Sequence, residues 1–332
     1  MKTAVIGSGG WGTALAMALH RNGHDTVLWS HNAEKAEQMA NSRKNSLLPD
    51  IRLPDDLMVT GDDRCVEGRK IVVIASPSVH IRSVCRRIAP WLESDAVMVS
   101  VTKGIEPDTF LRMSQIVEEE TNHPVVALTG PSHAEEVAQG TPTGCLAACA
   151  DKALAELVQD TFMSDTFRIY TSPDVVGAEL GGATKNVIAI CAGVIDGLGY
   201  GDNTLAMLMT RGLTEIARLG MAMGANKDTF AGLAGIGDLI VTCTSKHSRN
   251  RRAGKYLGQG MDTRQALDAV GAAVEGYYAA ASVRELARKA GVEMPIVEAA
   301  YQVLYTDTTA EQALNALLQR QRRPESEDAG WA

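Results

Sequence analysis

The run Thr3–Ile6 enters Gly7-Ser8-Gly9-Gly10-Trp11-Gly12 directly, and the amphipathic stretch Thr13–Arg21 leaves it directly. Strand, GxGxxG and helix in unbroken succession form the first turn of a dinucleotide-binding βαβ unit. Gly7 permits the tight turn, Gly9 lets a pyrophosphate approach the backbone, and Gly12 lets helix and strand pack closely. The helix N-terminus adds free N–H groups and a dipole that favours phosphate. A glycine-rich turn with no ligand fits the same letters, but the placement at the head of an alternating chain favours the dinucleotide.

That alternation continues. The runs Thr26–Trp29, Ile71–Ala75, Ala96–Val101, Val125–Leu128, Gly144–Ala148 and Arg168–Tyr170 are short, rich in Val and Ile, and mostly not alternating, as strands buried on both faces should be. Between several of them lie the amphipathic stretches Val79–Leu92, Phe110–Glu119 and Ala153–Met163. This predicts an α/β fold with an N-terminal, Rossmann-type, doubly wound parallel sheet. From about Asp174 strand signals fade and helix-forming segments take over: Val175–Leu198, Thr204–Met223, Thr263–Ala269, Tyr277–Ala290 and Ile296–Leu304. The expected division is a dinucleotide-binding domain over 1–180, an all-helical catalytic domain over 181–320, and a disordered tail over 321–332.

Composition limits the class. The 332 residues suffice for two domains, and 45% hydrophobic with 22% charged residues is a globular balance. A net charge of −8 argues against nucleic acid or an anionic membrane as the main partner. No uninterrupted apolar run approaches the ~18 residues of a membrane span. Lys2, the following apolar residues and Ala-Leu-Ala imitate a signal peptide, but glycines break the apolar region. The six cysteines form no CxxC pair and lack zinc spacing with histidine, so reduced thiols in a cytoplasmic protein are expected, with no metal site.

The second strand ends Trp29-Ser30-His31-Asn32, without the carboxylate that would accept a ribose 2′-OH and repel a 2′-phosphate. NADP should therefore be tolerated. His31 is either a cofactor contact or a polar loop residue. Lys103 follows a predicted strand, where open α/β sheets bind ligands, or it is a solvated loop lysine. Lys185 interrupts the apolar, small-residue helix Gly181–Ile190; it is partly desolvated with a lowered pKa, or it snorkels to the surface. Beyond the glycine-rich run Gly232–Gly237 and Asp238, Ser248 can cap a helix whose start carries Arg249 and Asn250. That is an anion seat or an ordinary capped helix.

Together these segments resemble the NAD(P)-dependent glycerol-3-phosphate dehydrogenase family, bacterial branch. The likeness rests on Gly7–Gly12, Thr102–Gly104, Gly130–Glu136, Gly181–Val187, Gly235–Leu239, Thr242–Thr244, Ser248–Arg251 and Val274–Gly276, in order over nearly the whole chain. It implies reduction of dihydroxyacetone phosphate to sn-glycerol 3-phosphate with NADP or NAD, feeding glycerophospholipid synthesis. It implies Lys185 as proton donor and acceptor, with Lys103 and Asp238 beside it. Substrate contacts are implied for Lys103, Gly130, Ser132, Lys185, Asn186, Asp238, Thr242, Ser248, Arg249 and Asn250. Cofactor contacts are implied for Gly7, Gly9, Gly10, Trp11, Gly12, His31, Lys103, Ala134, Arg249, Ala273 and Glu275. Two positions depart from many members: Gly10 stands where they have Ser, and His133 where they have Phe. Related two-domain dehydrogenases of 6-phosphogluconate, 3-hydroxyacyl-CoA and ketopantoate type are the rival enzymes, and a non-catalytic nucleotide sensor is the rival of another class. A homodimer stays open.

Overall fold

The computed structural model describes residues 1–322, 324 and 325. The tail expected to be disordered lies largely outside the described residues. The strands are β1 (Lys2–Ile6), β2 (Asp25–Trp29), β3 (Lys44–Asn45), β4 (Leu48–Arg52), β5 (Met58–Thr60), β6 (Ile71–Ile74), β7 (Val97–Ser100), β8 (Val125–Thr129), β9 (Thr143–Ala148) and β10 (Phe167–Ser172). Eight of them form one sheet in the order β10-β9-β8-β7-β6-β1-β2-β5, and β3 pairs with β4 alone. Helices α1 (Gly10–Arg21), α2 (Ala33–Ser42), α3 (Ile81–Ile88), α4 (Met113–Thr121), α5 (Ala134–Gln139) and α6 (Lys152–Phe162) accompany them.

The buried strands are apolar on both faces because both faces are covered. Val5, Val73 and Val99 pack with Leu15 and Leu19 of α1, whereas their neighbours Ala4, Ile6, Val72 and Met98 pack with Ile81 and Ile116 of α3 and α4. The expected doubly wound architecture is present, with one correction: β9 runs antiparallel to β8. A parallel return needs a crossover that travels the length of a strand. Here α5 has only six residues and stops at Gly140, whose φ is +77°. It spans about 9 Å, roughly half the length of β8, so the chain re-enters the sheet from the end it left.

The second half contains helices α7 (Val175–Gly197), α8 (Asp202–Ala222), α9 (Asp238–Thr244), α10 (Arg249–Gly258), α11 (Thr263–Val270), α12 (Glu275–Lys289), α13 (Pro295–Tyr305) and α14 (Ala310–Leu318). Helix α7 is central and touches α8, α9, α10, α12 and α13. Against α10 the approach is backbone to backbone: a Cβ on Gly254 would lie 1.9 Å from the carbonyl oxygen of Ile190, and one on Gly193 1.9 Å from that of Arg251. By length and composition α7 is apolar enough to cross a membrane, which a search for uninterrupted apolar runs overlooks; 89% of its most apolar stretch is buried inside the protein, as befits a core helix.

The helix expected from Phe110 begins only at Met113, because the chain first makes a tight excursion in which Asp108 and Phe110 have φ of 69° and 60°. Ile105 of this loop is buried with Leu180 and Ala183 of α7, and Phe110 packs beside them. A segment from the sheet half thus contributes to the core of the helical half. All six cysteines are free thiols.

Candidate active site

The loops after β6, β7 and β8 converge on the middle of α7 and the starts of α9 and α12. Lys103, three residues past β7, donates from Nζ to Oδ2 of Asp238 at 2.6 Å and to the carbonyl of Gly130 at 3.0 Å. Lys185 donates to Oδ1 of the same carboxylate at 2.7 Å and to Oγ1 of Thr242 at 2.6 Å. The Thr242 hydroxyl in turn donates to the Asp238 carbonyl at 2.7 Å, which fixes its oxygen as the acceptor. Each ammonium keeps a third N–H to offer a ligand.

Small residues on α7 make this possible. A Cβ at Gly182 would sit 3.4 Å from Cγ of Lys103 and 3.0 Å from Oγ1 of Thr129, so a side chain there would crowd the lysine stem. A Cβ at Gly181 would meet the Ala234 carbonyl at 2.4 Å. That carbonyl belongs to a π-helical turn over Leu233–Gly237, which delivers Asp238 as the first residue of α9. Such turns recur at functional sites.

Lys185 is 6% exposed and Asp238 1%. The snorkelling alternative for Lys185 is therefore excluded. Burial is the main cause that brings the Lys185 ammonium down to about 8; Asp238 opposes it and Lys103 reinforces it. Burial alone would push the Asp238 carboxyl up, but Lys103 and Lys185 outweigh it and hold the group below its ordinary value. Two cations sharing one carboxylate leave a net positive charge beyond the C-terminal ends of β7 and β8.

Beside this cluster, Ser248 caps α10, its hydroxyl accepting from the Arg251 N–H at 3.2 Å. Arg249 is exposed at the first turn, free of the core. Asn250 is buried; its Nδ2 donates to Oδ1 of Asn186 at 2.9 Å, and its Oδ1 accepts from the Gly276 N–H at 2.9 Å. The pair ties the residue next to Lys185 to both α10 and α12. Ser132 donates back to the Gly130 carbonyl at 2.9 Å.

The glycine loop has the geometry a pyrophosphate requires. Gly7 has φ +131°, and a Cβ there would lie 2.6 Å from the Ala75 carbonyl. A Cβ on Gly12 would lie 2.0 Å from the Gly7 carbonyl. At Gly9 the same test finds open space, and no side chain caps α1. Gly10 faces Ala134, 3.5 Å from its would-be Cβ to that of Ala134, and Trp11 packs half-buried near Leu48 and Val137. His31 is exposed beyond β2; of the carboxylates on the neighbouring β5 side, Asp62 caps its own turn and Asp63 accepts from Trp29 Nε1. Ala273 is half-buried just before α12. Glu275, the first residue of α12, reaches the loop after β6 and accepts from Ser78 N at 3.3 Å and Ser78 Oγ at 2.5 Å.

Most of the expected residues fall into three neighbourhoods: the lysine pair with Asp238 and Thr242, the capped α10 with the asparagine pair, and the glycine loop with Ala134; His31 beyond β2 and Ala273 and Glu275 at the start of α12 stand apart from them. Sequence reasoning missed Asn45, which is buried and donates to the Ser8 carbonyl at 3.1 Å and to Thr13 Oγ1 at 2.8 Å, bracing the glycine loop. It missed Ser78 and Glu179 as well. Asn45 lies in a polar stretch without periodicity, so nothing local marks it.

Comparison with known proteins shows the family. Residues 2–155 match the model of the NAD-dependent glycerol-3-phosphate dehydrogenase N-terminus, and residues 174–315 that of the C-terminus. A glycerol-3-phosphate dehydrogenase (NAD(P)+) of Fusobacterium nucleatum is 48% identical over 330 residues, covering 98% of each chain. That of Moorella thermoacetica is 49% identical over 330 residues, covering 99% of this chain and 98% of its own. The crystal structure of glycerol-3-phosphate dehydrogenase from Coxiella burnetii superposes with a TM-score of 0.92 at 36% identity, covering 96% of this chain and 99% of that one.

Proposed function

The chain belongs to the NAD-dependent glycerol-3-phosphate dehydrogenase family, and from that premise we propose that it interconverts dihydroxyacetone phosphate and sn-glycerol 3-phosphate with NADP or NAD. The observation that carries the reading is the cluster of half-buried Lys103 with buried Asp238 and Lys185 at the strand ends, beside a glycine loop open at Gly9. Held by the glycine loop Gly7–Gly12, a nicotinamide dinucleotide would supply the hydride chemistry. The protein has to orient the substrate and manage the proton.

Lys185 as an ammonium donates to the substrate carbonyl oxygen, stabilises the alkoxide as charge develops and then protonates it. An ammonium brought down to about 8 is well matched to that exchange near neutral pH. Asp238 aims Lys185 and Lys103 at the same point, and Lys103 adds a second positive charge. Arg249 and the N-terminus of α10 hold the phosphate, so binding energy remote from the carbonyl positions it. Gly130, Ser132, Asn186, Thr242, Ser248 and Asn250 complete the substrate site. Gly7, Gly9, Gly10, Trp11, Gly12, His31, Lys103, Ala134, Arg249, Ala273 and Glu275 hold the cofactor. On this reading residues 1–180 form the dinucleotide-binding domain, which also lends Lys103 to the catalytic cluster, and 181–320 form the catalytic domain, which also lends Arg249, Ala273 and Glu275 to the cofactor. The chain works in the cytoplasm, a setting its six free thiols support.

NADPH and NADH oxidation at neutral pH, with and without dihydroxyacetone phosphate, tests the proposal. Rapid substrate-dependent oxidation is expected, with NADPH used at least as well as NADH because no carboxylate ends β2. Tight cofactor binding without turnover would overturn the assignment, and a clear preference for NADH would overturn the account of the β2 end.

A further inference from the structure

Glu179 is buried, 7% exposed, on the first turns of α7. Among the described residues, the hydrogen-bond and ion-pair partners of its carboxylate lie in the sheet half. Its Oε1 accepts from the Ser114 N–H at 2.8 Å, its Oε2 accepts from Ser114 Oγ at 2.6 Å, and Arg112 pairs with it. Ser114 and Arg112 terminate the loop that begins at Lys103. The loop is closed on itself by a bridge between Ile105 and Arg112 and by the Glu106 N–H to the Leu111 carbonyl at 3.0 Å. On its outer side Arg82 of α3 grips Glu106 through two hydrogen bonds of 2.8 and 2.7 Å. On its inner side Ile105 and Phe110 enter the helical core, with the Lys289 ammonium 3.9 Å from the Phe110 ring centre.

The loop is therefore a stiff strut between the two halves: Lys103 stands at one end, and Arg112 and Ser114 at the other are held by Glu179, six residues before Lys185 on α7. A lysine side chain has four rotatable bonds, so packing has to fix where its ammonium sits. We propose that Glu179 is a positioning residue for the reaction: by holding Arg112 and Ser114 against α7 it sets where Lys103 meets Asp238, and hence how Lys185 is presented to the substrate. The inference rests on the assignment of Lys185 as the proton donor.

The consequence is specific to the strut. The titratable groups facing Lys185 are Asp238 and Cys243 on α9, Lys103 beyond β7, and His133 before α5. Burial pushes the Cys243 thiol up to about 12 and keeps the His133 ring below its ordinary value, so neither changes charge near pH 8. Among the described residues, Lys103 and Asp238 are then the charges that tune Lys185. If Lys103 withdraws, Lys185 loses a neighbouring cation and keeps the Asp238 carboxylate to itself. Both changes strengthen its hold on the proton, so the loss of reduction activity at alkaline pH moves to higher pH.

The test is the pH profile of kcat for ketone reduction in the parent, Glu179→Ala, Glu179→Gln and Ser114→Ala enzymes. In Glu179→Ala, kcat should fall roughly tenfold to hundredfold from misplacement of the cluster, and the alkaline limb should move up by about one pH unit. Glu179→Gln keeps an acceptor for the Ser114 N–H, so its limb should move in the same direction by less, as should that of Ser114→Ala. The KM for NADPH should change less than kcat, because Lys103 is the one cofactor contact in the displaced cluster. A limb that stays in place in every folded variant overturns the proposal, whatever happens to kcat. If Glu179→Ala does not fold, the limb of Glu179→Gln decides. A parent enzyme with no alkaline limb, or an active Lys185→Ala enzyme, would instead overturn the Lys185 assignment.

Discussion

Lys185 and Asp238 show what a buried ion pair demands. Burying a charge is costly unless it is paired and hydrogen-bonded; both Asp238 carboxylate oxygens are paired, and Lys185 uses two of its three N–H donors on Asp238 and Thr242. Lys185→Ala leaves Asp238 still paired with Lys103, so it should fold and bind NADPH normally while kcat drops about 10²- to 10⁴-fold, the range for loss of a general acid. Rapid turnover by that variant in the standard assay would reject the role. Arg249 is exposed and has no structural duty in the core. Arg249→Ala should raise the KM for dihydroxyacetone phosphate about tenfold to hundredfold, the value of a charged hydrogen bond, with a much smaller change in kcat; an unchanged KM would remove the phosphate anchor. Both residues were legible in the sequence, Lys185 because an ammonium in an apolar helix needs a reason, Arg249 because Ser248 marked a cap. Asn45 and Glu179 were not legible, since their importance lies wholly in partners distant along the chain.

At the scale of elements, the glycine loop is held by an outside brace. Gly7 and Gly12 let the turn close, but Asn45 joins the Ser8 carbonyl to the Thr13 hydroxyl from 32 or more positions away. Asn45→Ala should weaken NADPH binding about tenfold, as expected for losing one net hydrogen bond that orders the loop, with kcat at saturation nearly unchanged. Titration of cofactor fluorescence measures this, and an unaltered Kd would show that the loop holds itself. The strand periods and the cap at Ser248 were readable because they are local chemistry. The direction of β9 was not, because it depends on whether a thirteen-residue link (130–142) packs on α1 or crosses the sheet. Helix α4 was placed too early because Phe110 looks helical by pattern, yet its φ is 60° where it turns into the helical core.

At the scale of the whole molecule, one buried acid links stability to pH. Glu215 of α8, 4% exposed, accepts from the Ile296 N–H at 2.9 and 3.1 Å and so caps α13. Burial outweighs those bonds and raises the carboxyl to about 7. The folded state then binds the proton more tightly than the unfolded chain, so this group's contribution is full below the ordinary value near 4.5 and is lost as pH rises through about 7. The loss is on the order of 3 kcal/mol. Glu215→Gln, which keeps an acceptor for the backbone, should match the parent in urea midpoint at pH 4.5 and exceed it at pH 8. Parallel curves over that range would show that the carboxyl is ionised throughout. The sequence by itself determined the glycine turn, the alternation of buried strands, the change to helices near Asp174 and the presence of a lysine where apolar residues belong, because each follows from periods and turn chemistry within a few residues. Only the tertiary structure decided that Asp238 would meet Lys185 from 53 positions away and Lys103 from 135. That meeting depends on which helices pack closely enough, through glycines, for three charges to share one buried point, and no local pattern encodes a distance between segments.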